Sequence, residues 1–406
     1  MIRFYLAFCL FALYKFAAQA QPTPDWSTLP KTLWKFSPPS KAGFTASPTI
    51  DNDLVFIGCL DSTLYALDMA NGGTKWSMRV GGPIRSTVKV QKDNLYLYSG
   101  EGALICINKK TGKENWKFKT QTGFMGDRSY DLADPYQSSP TLHGEMIYFG
   151  SSDGRLYAID QKSGKQIWSF QTNDIVHTTP FIYNNKVYIG SYDGHVYCLD
   201  KDAGNVIWKF KAIGNRFFPK GEMMGNPVVS KGLVYIGSRD YNLYALDAEN
   251  GYCHWIKPFA GGWALNITPH DSVIYVGTSD DRAVYAYRSK GGAQLWKEDV
   301  KFNILGDMAF NGKVILTGTL MGKLFCIEAK TGKAKWVFTT EGYAKNRLKY
   351  FKEDDTFRDD VFKRVRTPAD ALTAYYNLGG IYSTPAVGGG RIVLSTYEGL
   401  VYCLGY

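Results

Sequence analysis

The chain has 406 residues, of which 45% are hydrophobic, 15% aromatic and 21% charged, with 42 glycines and a formal net charge of +10. The apolar content excludes a disordered chain, and glycine without a period of three excludes a collagen-like one. The basic excess is spread along the chain, which argues against a nucleic-acid-binding arm and leaves a surface with a mild basic bias.

Met1-Ile2-Arg3 is a short basic start, followed by an apolar run from Phe4 to Tyr14. Ala18 and Ala20 place small residues three and one before a cut ahead of Gln21. These features predict a secretory signal peptide over residues 1–20, cleaved after Ala20. The run is too short to span a bilayer, and Lys15 follows it directly. Cys9 lies inside the run with no small-residue cleavage site before it, so no lipid attachment is expected. The mature chain, 21–406, is therefore expected to be exported (periplasmic or extracellular), to lack a transmembrane segment and to be monomeric.

A repeat then dominates the chain. Ala66, Asp68, Gly72 and Trp76 set the pattern A-x-D-x-x-x-G-x-x-x-W, which recurs at Ala158 to Trp168, Cys198 to Trp208 and Ala245 to Trp255. Looser copies run from Cys106 to Trp116, Ala286 to Trp296 and Cys326 to Trp336. From Trp34 to Trp336 the successive tryptophans are 42, 40, 52, 40, 47, 41 and 40 residues apart. Each unit reads as four short strands separated by turn signals such as Asn184-Asn185 and Asp193-Gly194, the spacing of a β-propeller. Third strands centred on Tyr65, Ile105, Tyr157, Tyr197, Tyr244, Tyr285, Phe325 and Tyr402 predict eight blades. The strand around Leu33-Trp34-Lys35-Phe36 has no upstream partner and is expected to complete the eighth blade, closing the ring without an open edge. The fold class is thus all-β, a single domain over 21–406. Trp34, Trp76, Trp116, Trp168, Trp208, Trp255, Trp296 and Trp336 are expected to dock structurally between blades.

The prolines Pro48, Pro140, Pro180, Pro227 and Pro385 mark innermost strands, whose free side faces a channel. Small polar neighbours there (Ser47, Thr87, Ser139, Thr179, Asn226, Thr384) suit the crowding near the axis. Six cysteines follow the signal segment. Cys106, Cys198, Cys326 and Cys403 occupy a slot that Ala66, Ala158, Ala245 and Ala286 fill elsewhere, which predicts small, buried, unpaired residues. Scattered histidines and the lack of HExxH or CxxC spacing predict no metal site.

The longest departure from the repeat is a helical insert over 340–380. Phe357, Val361, Phe362 and Val365 share a helical face, with Thr356 as the expected start. Thr367-Pro368-Ala369-Asp370 opens a second helix that Gly379-Gly380 stops. Two short amphipathic helices are expected over the mouth between blades 7 and 8.

The motif copies closely resemble the pyrroloquinoline quinone (PQQ)-type propeller repeat. That resemblance implies one of two branches, the quinoprotein alcohol dehydrogenases or a non-enzymatic BamB-like scaffold. The dehydrogenase branch implies a quinone and a bivalent metal. Asn226 and Trp263 would then contact the cofactor, and Asp240 would serve as catalytic base. The adjacent-cysteine pair typical of that branch is absent, and Asp240 lies in a turn that also has Asp61, Asp153 and Asp193. The reading favoured is a scaffold, with no catalytic residues and no cofactor expected, serving cell-envelope or outer-membrane protein assembly. Its binding face would be built from the fourth-to-first-strand connections, bringing Asp127, Arg128, Tyr130, Arg216, Phe217, Phe218, Trp263, Arg347 and Tyr350 around one mouth to take a protein partner or small ligand.

Overall fold

Each repeat copy folds as a meander of four antiparallel strands, and in the computed structural model, which describes residues 26–121 and 137–406, eight such sheets form a propeller. The expected signal segment lies outside the described residues, as do Asp127, Arg128 and Tyr130. Blade 4 is representative, with strands Phe181–Tyr183, Lys186–Gly190, His195–Asp200 and Val206–Lys211. Its second and third strands are rich in β-branched and aromatic residues and are buried on both faces, whereas the fourth alternates outward lysines with inward aromatics. Blade 8 is composite: Ala386–Gly388, Arg391–Ser395 and Val401–Gly405 come from the end of the chain, and Lys31–Phe36 pairs antiparallel with Val401–Gly405. The ring is closed as expected.

Every letter of the motif has a mechanical reason. In blade 1 the Asp68 carboxylate accepts the backbone N–H of Ala70 at 2.7 Å and tightens the third-to-fourth-strand turn. Gly72 closes that turn with φ of 75°, and a Cβ there would lie 2.5 Å from the Trp34 ring of the preceding blade. The indole of Trp34 donates to the Met69 carbonyl in the same turn at 3.0 Å. Trp76, Trp116, Trp168, Trp208, Trp255 and Trp296 donate in the same way to Lys109, Gln161, Lys201, Ala248, Ser289 and Ala329, at 3.0–3.1 Å. The Ala/Cys slot is also explained, because it is the cross-strand partner of the motif tryptophan: Ala66 faces Trp76, Cys198 faces Trp208 and Cys403 faces Trp34. A large ring on one strand leaves room only for a small residue opposite. All six described cysteines are unpaired, as expected.

The insert departs from its expected form. It contains three helices, α1 (Glu341–Tyr350), α2 (Val361–Arg364) and α3 (Pro368–Asn377), rather than two. Helix α1 was not anticipated; Thr340 caps it, accepting the Tyr343 N–H at 3.2 Å while its hydroxyl donates to the Leu378 carbonyl. The helix expected from Thr356 is reduced to four residues, because Thr356 binds back to Asp354 and Phe357 bridges to Phe351, stacking on it. Helix α3 begins as expected, with Thr367 and Asp370 forming a reciprocal capping box and Pro368 in the first turn.

Truncating Trp168, which is 9% exposed, to alanine should destabilise the propeller by about 3–5 kcal/mol in denaturant melts. Trp336 differs from the other motif tryptophans: it is buried, but its indole N–H meets no acceptor. Trp168→Phe should therefore cost more than Trp336→Phe, by about 1 kcal/mol. Equal costs would show that the indole bonds do not stabilise the blade contacts.

Candidate functional site

Two regions depart from the repeat's uniformity: the central channel and the face bearing the fourth-to-first-strand connections, here the upper face. The channel encloses a cavity of about 430 Å³. One polar residue per blade rings it at the same repeat position: Ser47, Thr87, Ser139, Thr179, Asn226, Asn266, Asp307 and Thr384. Their side chains stitch neighbouring blades together. Ser139 Oγ accepts from the Thr87 N–H, Thr179 from the Ser139 N–H, Asn226 from the Thr179 N–H, and Ser47 from the Thr384 N–H, at 2.7–3.2 Å. Asn226 also donates its amide to Asp307 at 3.3 Å. The sequence reading of a packing role for this slot describes most of the ring.

Charge enters the channel at Arg85 and Lys89, both on blade 2, and at Asp307 on blade 7. Burial pushes the Lys89 ammonium below its usual range, with the Asp307 charge opposing; burial likewise pushes the Asp307 carboxyl up, against the Asn226 bond and the charge of Lys89. His177, also lining the cavity, is bonded through Nε2 to Ser152 Oγ at 2.8 Å. Sequence reasoning missed Lys89 and Asp307. Aligning the innermost strands would have shown an aspartate in the Ser/Thr/Asn slot, and a lysine two residues after it in blade 2, where blades 1 and 3 have Thr49 and Thr141.

Of the residues named for a quinone site, only Asn226 lines the channel. Asp240 is buried in the second-to-third-strand turn of blade 5, where its carboxylate accepts from the Tyr244 hydroxyl at 2.5 Å and from the backbone of Gly214 and Asn242. The same Asp-to-Tyr bond recurs at Asp61–Tyr65, Asp153–Tyr157 and Asp193–Tyr197, so the position is a repeated turn lock. Trp263 is an anchor between loops: its indole donates to the Arg239 carbonyl, its ring meets Phe218 edge-on at 5.5 Å, and the Arg239 guanidinium lies 5.0 Å from it. The three residues thus do not surround one cavity and do not fit a shared quinone seat. Among the described residues no group of three His, Cys, Asp or Glu side chains could hold a metal ion.

The upper face brings together part of the expected binding rim. Phe218 and Trp263 are in contact, and Arg216 sits over Phe217 at the tip of the same loop, where Phe217 is 72% exposed. Arg347 and Tyr350 lie in the insert, where Arg347 pairs with Glu353 and the Tyr350 hydroxyl accepts from Asn377, and Tyr350 packs on the same apolar cluster as Trp263. The insert rests on the propeller through one apolar cluster that includes Tyr343, Phe351 and Leu378 with Met224, Leu265 and Phe302. Phe302, from the connection between blades 6 and 7, meets Phe351, Phe357 and Tyr375 edge-on. Below the cluster, Asp355 accepts from Tyr343 and pairs with Lys323. The cluster shares Met224, Leu265, Leu305 and Tyr382 with the upper channel wall.

Comparison with known proteins follows the same lines. The family model described as "Outer membrane protein assembly factor BamB" matches residues 60–298 and 279–402. BamB of Bordetella pertussis is 31% identical over 158 residues, covering 39% of this chain and 37% of that protein. Quinohemoprotein alcohol dehydrogenase ADH IIB of Pseudomonas putida is 30% identical over 118 residues, covering 28% of this chain and 17% of that enzyme. These matches therefore span well under two thirds of the relatives' own lengths. Among solved structures, BamB from Moraxella catarrhalis superposes with a TM-score of 0.69 at 16% identity, covering 93% of this chain and all of that one, which shows the fold. No helix among the described residues is long and apolar enough to cross a membrane.

The seat of the insert on blade 8 carries one titrating group. Burial pushes the Glu398 carboxyl up from its usual 4.5 to about 7; the bond from the Tyr402 hydroxyl opposes this, and the nearby Glu341 adds to it. The folded state thus holds a proton that the unfolded chain releases earlier. The associated stability is fully present below about pH 4.5 and is lost as pH rises through about 7. Glu398→Gln, which mimics the protonated form, should leave melting at about pH 5 close to the parent's and raise it at about pH 8. A parent and variant that differ equally at both pH values would refute the assignment.

Proposed function

Because this chain belongs to the family of the outer membrane protein assembly factor BamB, we propose that it is an exported, monomeric, non-enzymatic scaffold that binds a protein partner through its upper face, in outer-membrane protein assembly or a related envelope process. The observation that carries this reading is the exposure of Phe217 (72%), Phe362 (69%) and Ile213 (68%) on the face that holds the loops and the insert. Exposed aromatics beside arginines, here Arg216, are the side chains that anchor protein interfaces. The repeat needs none of them for its own packing. Export rests on the segment 1–20, whose removal leaves Gln21 as the expected N-terminus.

The rival reading, a PQQ-dependent alcohol or sugar dehydrogenase, draws support from the quinoprotein relatives. Its donor set would have to be Asn226 with channel residues other than Asp240 and Trp263.

Photo-crosslinking from position 217 should trap one partner in cells, and crosslinking from Tyr252, equally exposed on the opposite face, should not. Ile213→Ser with Phe362→Ser should abolish the complex crosslinked from position 217 without lowering the melting temperature. Equal trapping from both faces would remove the upper face from consideration. Incubation with PQQ and calcium should leave no stoichiometric quinone on the protein; retention that is lost in Asn226→Ala would establish the dehydrogenase instead.

A further inference from the structure

The channel cavity lies on the axis, and its upper wall is made by the ends of the fourth-to-first-strand connections. Its walls are unlike at opposite positions. Lys89 projects from the innermost strand of blade 2, and Asp307 lies on blade 7, separated from it around the ring by blades 1 and 8. Each senses the other's charge, yet no ion pair joins them. Among the described residues Lys89 has no hydrogen-bond partner, and Asp307 has only the 3.3 Å bond from Asn226. Two opposite charges held partly out of water and apart are costly unless a third group completes both.

Two further observations point to an occupant. Thr45, which lines the same cavity, is 4% exposed and its hydroxyl meets no partner. A buried hydroxyl left unpaired costs on the order of 1–3 kcal/mol, so an acceptor or donor inside the cavity would recover it. The upper wall, meanwhile, is divided: Thr45, Arg85, Gln137 and His177 make a polar half, and Met224, Leu265, Leu305 and Tyr382 an apolar half. The cavity therefore offers the Lys89 cation, with Arg85 above it on the same blade, an acid on another wall, hydroxyls between them and an apolar half to its roof. Its volume of about 430 Å³ has room for an amino acid with accompanying water.

We propose that the central channel binds a small zwitterion with an apolar side chain, of amino-acid size, its carboxylate on Lys89, its ammonium on Asp307, and its side chain under the apolar half of the roof. A simple anion would leave Asp307 without a counter-charge. A simple cation would do the same to Lys89. Only a ligand with both ends matches the two walls together.

Three probes separate these cases: L-leucine, 4-methylpentanoate (leucine without the amino group) and 3-methylbutylamine (leucine without the carboxylate). Binding to the full chain would be read by saturation-transfer NMR and titration calorimetry. Leucine should bind saturably, at least 10-fold tighter than either analogue. Lys89→Met and Asp307→Asn should each weaken leucine at least 10-fold, while Lys117→Met, on an outer strand, should leave it unchanged. Should Asp307→Asn fail to fold, Lys89→Met and the two analogues still decide the matter. Absence of saturable leucine binding, equal binding of 4-methylpentanoate, or leucine binding indifferent to Lys89→Met would overturn the proposal; the second result would make the channel a plain anion site.

Discussion

The structure depends on one contact, made at seven of the eight seams: the motif tryptophan of one blade lying on the motif glycine of the next. A four-stranded sheet cannot bury both its faces alone, so each blade is stable only through its neighbours. A Cβ added at Gly112, Gly164, Gly204, Gly251 or Gly332 would lie 2.6 Å from the preceding blade's indole, so no other residue fits. The acid at the start of the turn holds that glycine in place. Where Asn108 replaces it, the amide oxygen still accepts from Lys110 and Thr111. Where Arg288 replaces it, no such cap is available, and there the turn uses two left-handed glycines, Gly291 and Gly292, with the indole of Trp255 at 3.1 Å, the widest of the seven.

A second seam runs along the axis. The inner ring joins blades through side-chain oxygens that accept backbone N–H groups, and it is not uniform. Blades 1 to 4 and 8 contribute hydroxyls, whereas blades 5 to 7 contribute Asn226, Asn266 and Asp307. One arc of the channel is thus richer in amide and carboxylate groups, and it faces the basic residues of blade 2. The departures bond differently: Asn226 accepts the Thr179 N–H as the hydroxyls do, whereas the Asn266 amide donates to the Ile304 carbonyl and Asp307 accepts from Asn226.

What could be read from the sequence follows from how far each signal reaches along the chain. The blade count, the closing strand and the eight docking tryptophans were legible because each rests on residues within one 40-residue unit or on repetition of that unit. The separation of Asp240 from the channel was only half legible: its kinship with Asp61, Asp153 and Asp193 was visible, but the tyrosine four residues on, which shows why the acid is there, had been counted only as a strand marker. Helix α1 was missed because Glu341–Tyr350 carries no continuous apolar stripe; its position comes from the Thr340 cap and from Tyr343 packing beneath it. The helix expected from Thr356 failed for a tertiary reason, since Phe357 gains more from stacking on Phe351 beside Phe302 than from a helical face in solvent. Lys89 and Asp307 were hidden because their relation crosses the ring, between residues 218 positions apart.

Closure of the ring gives the insert a duty beyond its surface. The fourth strand of blade 8 comes from the N-terminal segment and not through a turn following the third strand, so blade 8 has no motif turn to offer a glycine and a carbonyl. That is why Trp336 alone among the motif tryptophans has an unanswered indole N–H. The seam between blades 7 and 8 therefore lacks the indole bond found at the other seven, and the insert begins four residues after Trp336. Its contacts bridge the pieces that meet there. Glu341 pairs with Lys35 of the closing strand and its N–H donates to the Tyr402 hydroxyl at 3.0 Å, while Tyr376 reaches the Lys41 carbonyl. Glu398, in the last upper turn of blade 8, lies against Gly342 and Gly379 so closely that neither could carry a side chain. The insert thus replaces, on the upper face, the inter-blade coupling that the missing turn cannot supply at the opposite end. The outward residues of the insert, Phe362 among them, thus stand on a segment bonded to both ends of the chain that close the ring.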